Sequence, residues 1–435
     1  MQLPVAMPEV RSQHFDCHSC TNCCRELVVH LTAIDRDKID KQDWTGRLGV
    51  APYLRQRREY VLRHKPGGGC VFLMDDKRCR IHAEYGLTEK PLACQLYPFT
   101  LHREGDTLRA GVRFDCPSAA ANKGEPISHH RQSVRRLASE LADAAALFPA
   151  VQPVELRRGC RIASKQLDRV VDRLDVWLRD ADRPLDDRLL GLCSLCDTLE
   201  AARLDAISDE QIGDLLTLLV GELESAAPRE DLSPPTDRHF ALLRMTVFAH
   251  CEHVTLGDLC APWRLRWRRR VDQLLRGRRM VRGLGDVPPL MPGAPAVAFE
   301  RVDRVRRDPA TPPQDVDELL TRYVRMRLLS HSAFGDAYYG WSVIDGLRAL
   351  VLSIAAVRWL ARYLAAAAGR DTWQLADLQK AIGLIDRGAG RAKELGRASG
   401  SLRVRFFARD HGLARLIFHD SAQEGTEVSA ATTAG

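Results

Sequence analysis

The sequence predicts a mainly α-helical protein that begins with an irregular, cysteine-rich metal-binding domain containing short β-hairpins. Eight of the 13 cysteines lie within the first 116 of 435 residues. From about residue 129, apolar residues recur at helical spacing, as at Leu137, Leu141, Ala144, Ala145 and Phe148. A chain of this length can bury a core without covalent cross-links. The cysteines are therefore available for metal binding.

We predict five segments along the chain. They are a cysteine-cluster metal-binding domain over 1–125, a helical domain over 126–283, a proline-rich linker over 284–315, a C-terminal helical region over 316–420 and a disordered tail over 421–435. Within the first segment, the patterns predict a strand over 26–31 and a hairpin that pairs 97–102 with 108–114. Long helical patterns follow, and the first of them covers 155–180.

The first four cysteines form one tight run, Cys17-x2-Cys20-x2-Cys23-Cys24. A C-x2-C turn lets two thiolates converge on one ion at the ~2.3 Å of a zinc–sulfur bond. Repetition of this spacing is typical of loops that wrap an iron–sulfur cluster. We take all eight N-terminal cysteines as candidate metal ligands, and the other four are Cys70, Cys79, Cys94 and Cys116.

A disulfide framework is the alternative explanation of these thiols, and it is typical of short secreted chains. The first residues lack the basic and apolar regions of a signal peptide, so we expect a cytoplasmic protein with reduced thiols. Eight thiols could fill two tetrahedral zinc sites, or hold one 4Fe-4S cluster with four thiols to spare. Because neighbouring side chains point apart, we expect that Cys23 and Cys24 do not both reach one ion.

Three further blocks follow the cysteine run in order. They are Cys70 followed by an apolar pair, then Cys79-Arg-Ile-His82, then Pro91-x-x-Cys94-x-x-Tyr97-Pro98. In this order the blocks resemble the CxxCxxCC cysteine-cluster family, which is described as zinc- or iron-chelating. The resemblance covers roughly the first 116 residues. One departure is Lys90, which stands where the family often has arginine.

The same family includes the flagellin lysine N-methylases, which are understood to use S-adenosylmethionine and to carry an iron–sulfur cluster. Residues 338–347 are similar to a segment in the C-terminal half of those enzymes. The resemblance implies an S-adenosylmethionine-dependent protein lysine N-methyltransferase with a flagellin-like lysine acceptor, but it assigns no catalytic or cofactor-binding residue here. The alternative is a non-enzymatic zinc- or iron-binding interaction protein whose cluster is structural.

No glycine-rich motif of the G-x-G-x-x-G type follows a predicted strand, which disfavours an ordinary Rossmann-type methyltransferase. The C-x3-C-x2-C spacing of radical S-adenosylmethionine enzymes is absent from the sequence as well. Any site for S-adenosylmethionine is therefore not readable from the sequence motifs.

Net charge is +7, and the sequence holds no run of 18 apolar residues that predicts a membrane span. Its most basic stretch, 263–282, contains nine arginines with Trp263 and Trp267. Such a helix could bind nucleic acid, acidic protein or an anionic membrane. We favour a solvated helix face with its tryptophans packed inward, which makes nucleic acid an unlikely partner without excluding it.

Two other groups of residues could form sites. Cys193 and Cys196, with Cys251, His253 and Cys260 downstream, could bind a second metal, but burial as small apolar side chains is favoured. An aromatic and acidic group could line a pocket for an ammonium, but packing in the core is again favoured. This group consists of Tyr338, Tyr339, Trp341 and Asp345.

Overall fold

The computed structural model describes residues 4–8, 10, 12–56, 58–142, 153–204, 208–225, 232–252 and 255–420. It confirms the predicted fold class, with short strand pairs concentrated near the N-terminus and many helices after them. Several predicted features lie outside the described residues. They are the helical positions Ala144, Ala145 and Phe148, the candidate ligand His253 and the tail 421–435.

The N-terminal part contains most of the strands. These are β1 (Val5–Ala6), β2 (His14–Phe15), β3 (His30–Leu31), β4 (Tyr53–Gln56), β5 (Glu59–Leu62), β6 (Phe99–Glu104), β7 (Thr107–Val112) and β8 (Glu125–Pro126). They form two three-stranded sheets, β1-β7-β6 and β3-β5-β4, and the pair β2-β8. Short helices lie between them: α1 (Asn22–Glu26), α2 (Ala33–Lys41), α3 (Trp44–Leu48), α4 (Arg80–Tyr85), α5 (Leu92–Leu96) and α6 (Pro117–Ala120).

The predicted hairpin is confirmed, because β6 and β7 pair antiparallel from Phe99 opposite Val112 to Glu104 opposite Thr107. The predicted strand over 26–31 is largely wrong. Helix α1 extends to Glu26, and only β3 at the end of that stretch pairs with β5.

Helices dominate the rest of the chain. They are α7 (Arg131–Ala142), α8 (Ser164–Leu178), α9 (Leu185–Ala201), α10 (Asp209–Gly221), α11 (Asp237–Cys251), α12 (Leu256–Cys260), α13 (Trp263–Arg282), α14 (Phe299–Arg304), α15 (Pro313–Leu329), α16 (Val343–Ala367), α17 (Leu375–Gly388), α18 (Lys393–Gly396) and α19 (Ala398–Ala408). Single turns of 3-10 helix occupy Leu87–Glu89, Ile127–His130, Glu222–Ser225, Asp336–Tyr338 and Arg409–His411.

Short strand pairs connect some of these helices. They are β9 (Glu155–Arg157) with β10 (Cys160–Arg161), β11 (Asp286–Val287) with β12 (Val297–Ala298), and β13 (Arg306–Arg307) with β14 (Thr372–Trp373). The first pair falls where the sequence predicted the start of a helix over 155–180, and α8 begins only at Ser164. In the proline-rich stretch 284–315, Val287, Leu290 and Phe299 are buried in the main core.

Helix α16 is the centre of the helical part. It is buried from Val343 to Ala366, because α9, α11, α17 and α19 all pack against it. Its arginines are paired with acids of neighbouring segments, Arg348 with Asp197 at 2.9 Å and Arg362 with Asp420 at 3.1 Å. Buried charges persist when such partners neutralise them. Within the described ranges, no helix combines the length and the apolar character needed to cross a membrane.

The C-terminal helices contact the cysteine domain directly. Arg322 on α15 donates to Gln13 Oε1 at 2.9 Å, and the N–H of Phe114 donates to Asp386 Oδ2 on α17 at 2.8 Å. Arg387, also on α17, forms an ion pair with Glu26 at the end of α1. These contacts place α17 beside the cysteine run and so define one wall of the site.

Candidate metal centre

The loop that carries the cysteine run has an unusual backbone. Ser19 and Thr21, each lying between two cysteines, adopt left-handed conformations with φ of 52° and 66°. A β-branched residue rarely occupies this region, and the cost is of order 1–3 kcal/mol. Thr21 is buried, and its Oγ1 accepts a hydrogen bond from Arg25 Nε at 3.1 Å. The two left-handed residues make the chain reverse direction between successive thiols.

Helix α1 follows directly and presents Cys23 and Cys24. Their Sγ atoms lie 4.0 Å apart. Four sulfurs around a tetrahedral zinc at ~2.3 Å are separated by about 3.8 Å. The expectation that these neighbouring side chains point apart is therefore wrong. A short helical turn holds both thiols on one side of the chain.

Backbone hydrogen bonds join the separate cysteine blocks. The N–H of Cys70 donates to the carbonyl oxygen of Cys24 at 2.7 Å. Isolated β-bridges link His64 with Cys70 and Leu73 with Cys79. Gly69, with φ of 83°, allows the tight turn that brings Cys70 against α1. The cysteines that are far apart in sequence are thus brought together by main-chain contacts.

A small apolar cluster supports this arrangement. Its buried members are Ile39, Trp44, Leu62, Val71, Phe72 and Ile81, with Cys70, Cys79 and Cys94 partly buried at its edge. The indole of Trp44 packs edge-on against Phe72, with ring centroids 5.1 Å apart. The cysteine-bearing loops therefore have their own small core beneath them.

Five of the eight predicted ligands line one cavity of about 470 Å³, namely Cys23, Cys24, Cys70, Cys79 and Cys94. The opposite side of the cavity carries charged residues from the β6–β7 hairpin, α15, α17 and the segment after α17. These residues are Arg113, Arg327, Asp386 and Arg391. The cavity thus lies between the cysteine domain and the C-terminal helices.

The other three predicted ligands are not among the residues lining this cavity. Cys17 and Cys20 are exposed, whereas Cys116 is buried at the start of α6. The pKa of the Cys116 thiol is raised to about 12, mainly by burial. Cys20 and Cys23 lie close enough for their negative charges to raise it as well. Cys23 therefore links the other four cavity thiols to Cys20 and Cys116.

Across the described ranges, no three Cys, His, Asp or Glu side chains stand at distances that would hold a metal ion. The five thiols share a cavity wall without converging on a single point. The donor set nevertheless fits zinc or iron chemically, because thiolates are the preferred ligands of zinc and of iron–sulfur clusters.

Burial favours the protonated form of three of these thiols, Cys23, Cys70 and Cys94. It raises the pKa of Cys70 to about 12 and raises the pKa of Cys94 further. The pKa of Cys23 rises through its hydrogen bond with Cys24 and through burial. Protonated thiols are therefore favoured without a metal, whereas a coordinated thiol is deprotonated outright. Metal binding at these residues would release protons.

Lys90 lines the same cavity as the five thiols. Burial lowers the pKa of its ammonium, but thiolates at Cys94 and Cys79 raise it, and the net direction is upward. In the part of the chain that the structure describes, no carboxylate pairs with Lys90. The charges that raise this pKa are the thiolates of Cys94, Cys79, Cys24 and Cys23. In the sequence, Lys90 stands out only as a departure from the family pattern, which often has arginine at this position.

A polar network lies behind the cavity wall. Arg113 forms a two-point ion pair with the buried carboxylate of Asp115, which also accepts from the hydroxyl of Tyr97 at 3.1 Å. The side-chain amide of Asn22 on α1 donates to the carbonyl oxygen of Asp115 at 3.1 Å. This network connects the loop before Cys116 to the cysteine helix. Apart from Tyr97, which belongs to the third of the family blocks, its residues carry no spacing signal in the sequence.

The two other candidate groups belong to the core. Cys193 and Cys196 on α9 and Cys251 at the end of α11 are buried, whereas Cys260 is exposed and contacts Gln56 Nε2 at 2.9 Å. The rings of Tyr338, Tyr339 and Trp341 pack on one another with centroids 4.9–5.7 Å apart. Asp345 is occupied by an ion pair with Arg405 at 2.7 Å.

Comparison with known proteins identifies the class of this domain. Residues 16–116 match the family CxxCxxCC, whose description is "Putative zinc- or iron-chelating domain". The chain therefore contains a cysteine-cluster domain of this family, as its sequence blocks predicted. Searches of the curated proteins and of the solved structures found no match to this chain.

Proposed function

We propose that this protein binds zinc or iron through Cys23, Cys24, Cys70, Cys79 and Cys94. The observation that supports this most directly is the position of these five thiols. They come from four places in the sequence, yet they line one cavity around the ammonium of Lys90. Four thiolates satisfy either a tetrahedral zinc ion or a four-iron cluster, so the set is large enough for one centre.

Of the remaining thiols, Cys20 and Cys116 lie near each other and near Cys23, and Cys17 belongs to the same cysteine run. We propose that they extend the centre or hold a second ion. Bound zinc would supply folding free energy to a domain whose own apolar cluster is small, and an iron–sulfur cluster would in addition supply a redox centre.

Metal analysis after anaerobic purification tests the proposal. Iron, acid-labile sulfide and zinc are measured per chain, together with the visible absorption spectrum. Iron with matching sulfide and a broad brown absorption identifies a cluster, whereas zinc without colour identifies a structural site. A full-length folded chain that takes up neither metal, even after anaerobic reconstitution, contradicts the proposal.

The cavity favours a second function beside metal binding. Its volume of about 470 Å³ lies within the range of pockets for small molecules, and cationic Arg113, Arg327 and Arg391 line its far side. We propose that it receives the S-adenosylmethionine that the resemblance to the lysine N-methylases implies, with a protein lysine as acceptor. Calorimetric titration of the metal-loaded protein with S-adenosylmethionine tests binding, and transfer of a labelled methyl group to a flagellin-like acceptor tests activity.

Metal without any S-adenosylmethionine binding would favour the alternative, a non-enzymatic zinc- or iron-binding protein with a structural centre. The two measurements are independent, since metal analysis needs no substrate. Failure of the methylation assay therefore leaves the metal proposal intact.

A further inference from the structure

Among the residues that the structure describes, helix α13 carries the most exposed aromatic side chains. Trp263 and Trp267 are 68% and 62% exposed, so the expectation that they pack inward is wrong. The other five tryptophans are at most 9% exposed. Two large indole rings in contact with water are costly for a folded chain, and exposed apolar patches of this kind mark interaction sites.

Four of the six exposed large apolar residues of α13 form a continuous stripe. Trp263, Trp267, Leu274 and Val281 follow one another at intervals of four, seven and seven residues. At 3.6 residues per turn, these four side chains project within about 40° of one another over a helix of about 30 Å. Leu274 and Val281 are 69% and 46% exposed, so the stripe stays open along its full length.

The C-terminal part of α13 is attached to the protein. Gly277 and Met280 are buried, and Arg276 pairs with Glu252 at 2.7 Å. Arg244 on α11 donates to the carbonyl oxygen of Met280 at 2.8 Å. The helix is therefore anchored on α11 near its C-terminal end, and its N-terminal part, with both tryptophans, is presented to solvent.

Arginines flank the stripe on both sides. The exposed ones are Arg264, Arg266, Arg268, Arg270, Arg278, Arg279 and Arg282. Among the residues that the structure describes, none of these seven has a carboxylate at ion-pair distance. The exposed side of α13 is thus a ridge that combines unneutralised positive charge with exposed indole and aliphatic groups.

We infer that this ridge docks on an anionic lipid surface. Tryptophan prefers the membrane interface, where its ring is buried and its N–H stays wet, and arginines attract anionic headgroups. Leucine and valine in the stripe gain nothing from a nucleic-acid backbone. The inference is independent of the metal centre.

Vesicle binding by the full-length protein tests this inference. Vesicles of equal parts phosphatidylcholine and phosphatidylglycerol are compared with pure phosphatidylcholine by co-sedimentation. We expect binding to the anionic vesicles, which weakens as salt rises, with a blue shift of tryptophan emission. Because only two of the tryptophans are exposed, this shift reports on α13 directly.

Matched variants locate the surface. Leu274→Asp should lower vesicle binding at least tenfold, whereas Leu402→Asp, at a similarly exposed leucine on α19, should not change it. Arg278→Ala should lower binding about fivefold, since one arginine near an anionic surface contributes about that factor. Circular dichroism confirms that each exposed substitution leaves the fold intact.

Three results would overturn the inference. One is equal partitioning into neutral and anionic vesicles, and another is vesicle binding that the Leu274 substitution leaves unchanged. The third is absence of vesicle binding combined with one of two other results. Tight binding of a short RNA would assign the ridge to nucleic acid. A dimer in which the emission of the two tryptophans is already blue-shifted would assign it to a second copy of the chain.

Discussion

The carbonyl oxygen of Cys24 accepts a hydrogen bond from the N–H of Cys70 at 2.7 Å, which joins two cysteine blocks that are 46 residues apart. This bond holds the thiol-bearing turn of α1 against the loop that leads to Cys79. The geometry of the candidate centre therefore depends on main-chain contacts between blocks as well as on the spacing within each block.

The first prediction concerns Cys94, which is partly buried at the cavity wall. Cys94→Ser should abolish metal retention and lower the free energy of unfolding by more than about 4 kcal/mol, because binding free energy at such sites is folding free energy. Metal content and urea denaturation check this. The control Cys196→Ala removes a buried thiol on α9 and should cost about 1 kcal/mol without loss of metal. Equal metal contents in the two variants would show that Cys94 is not a ligand.

A second prediction concerns Lys90, whose ammonium faces thiols rather than carboxylates. Lys90→Met should weaken metal affinity about tenfold, because groups surrounding the ligands typically contribute factors of 10 to 100. Lys90→Arg should retain affinity, since it keeps the charge. Competition with a chelator measures both variants. Lys41→Met serves as the control, because Lys41 is exposed and paired with Asp37. An unchanged affinity in Lys90→Met would remove the electrostatic role.

The sequence predicted the parts of this protein that depend on local spacing. The cysteine blocks identified a metal-binding domain, and alternation around Gly105 located the β6–β7 hairpin. The charged lining of the cavity was not predictable. Arg327 and Asp386 reach it from α15 and α17, and Arg391 from the segment after α17, all more than 200 residues from the cysteines. No spacing rule connects such residues to the cysteines.

Two local errors have physical reasons. The stretch after 155 has apolar residues at helical spacing, but Gly159 adopts φ of 76° and turns the chain into the β9–β10 hairpin before α8 begins. The tryptophans of α13 follow a helical period that is the same for a buried face and for an exposed one. Only the packing of α13 against α11 decides which side of α13 is covered.

The left-handed loop gives a third prediction. Ser19 is exposed with φ of 52°, so Ser19→Gly should stabilise the protein by about 0.5–1 kcal/mol, because glycine adopts this conformation without strain. Ser133→Gly, at an exposed position inside α7, should instead destabilise it by about 0.5 kcal/mol. Thermal melts of the two variants should therefore shift in opposite directions. A shift in the same direction would mean that Ser19 is not held in this conformation in solution.

The ion pair between Arg188 and Asp317 gives a fourth prediction. Arg188 is 1% exposed, whereas Asp317 is one-third exposed and also accepts from the N–H of Leu185 at 2.6 Å. Asp317→Ala should cost about 3 kcal/mol, because it leaves a buried guanidinium unpaired. Arg188→Met should cost less, since water can reach the remaining carboxylate.

Urea denaturation compares these two variants with Asp37→Ala. The pair of Asp37 and Lys41 lies on the surface, so its loss should change the free energy of unfolding by less than about 1 kcal/mol. A smaller loss in Asp317→Ala than in Arg188→Met would contradict the assignment of the buried partner as the costly one.

Acid stability provides the last prediction, through His250 on α11. Its Nδ1–H donates to the carbonyl oxygen of Ile385 at 2.7 Å, and burial lowers the pKa of the imidazole from 6.5 to about 4. Between these two values the unfolded chain binds the proton and the folded chain does not. The free energy of unfolding should therefore fall as pH decreases from 6.5 to 4, by up to about 3 kcal/mol for this residue.

His250→Gln removes the titrating group and should flatten that slope, whereas His129→Gln, at a mostly exposed histidine, should leave it unchanged. Urea denaturation at a series of pH values distinguishes the two variants. Because His102, with a pKa also lowered to about 4 by burial, contributes in the same direction, the slope should decrease in His250→Gln without vanishing.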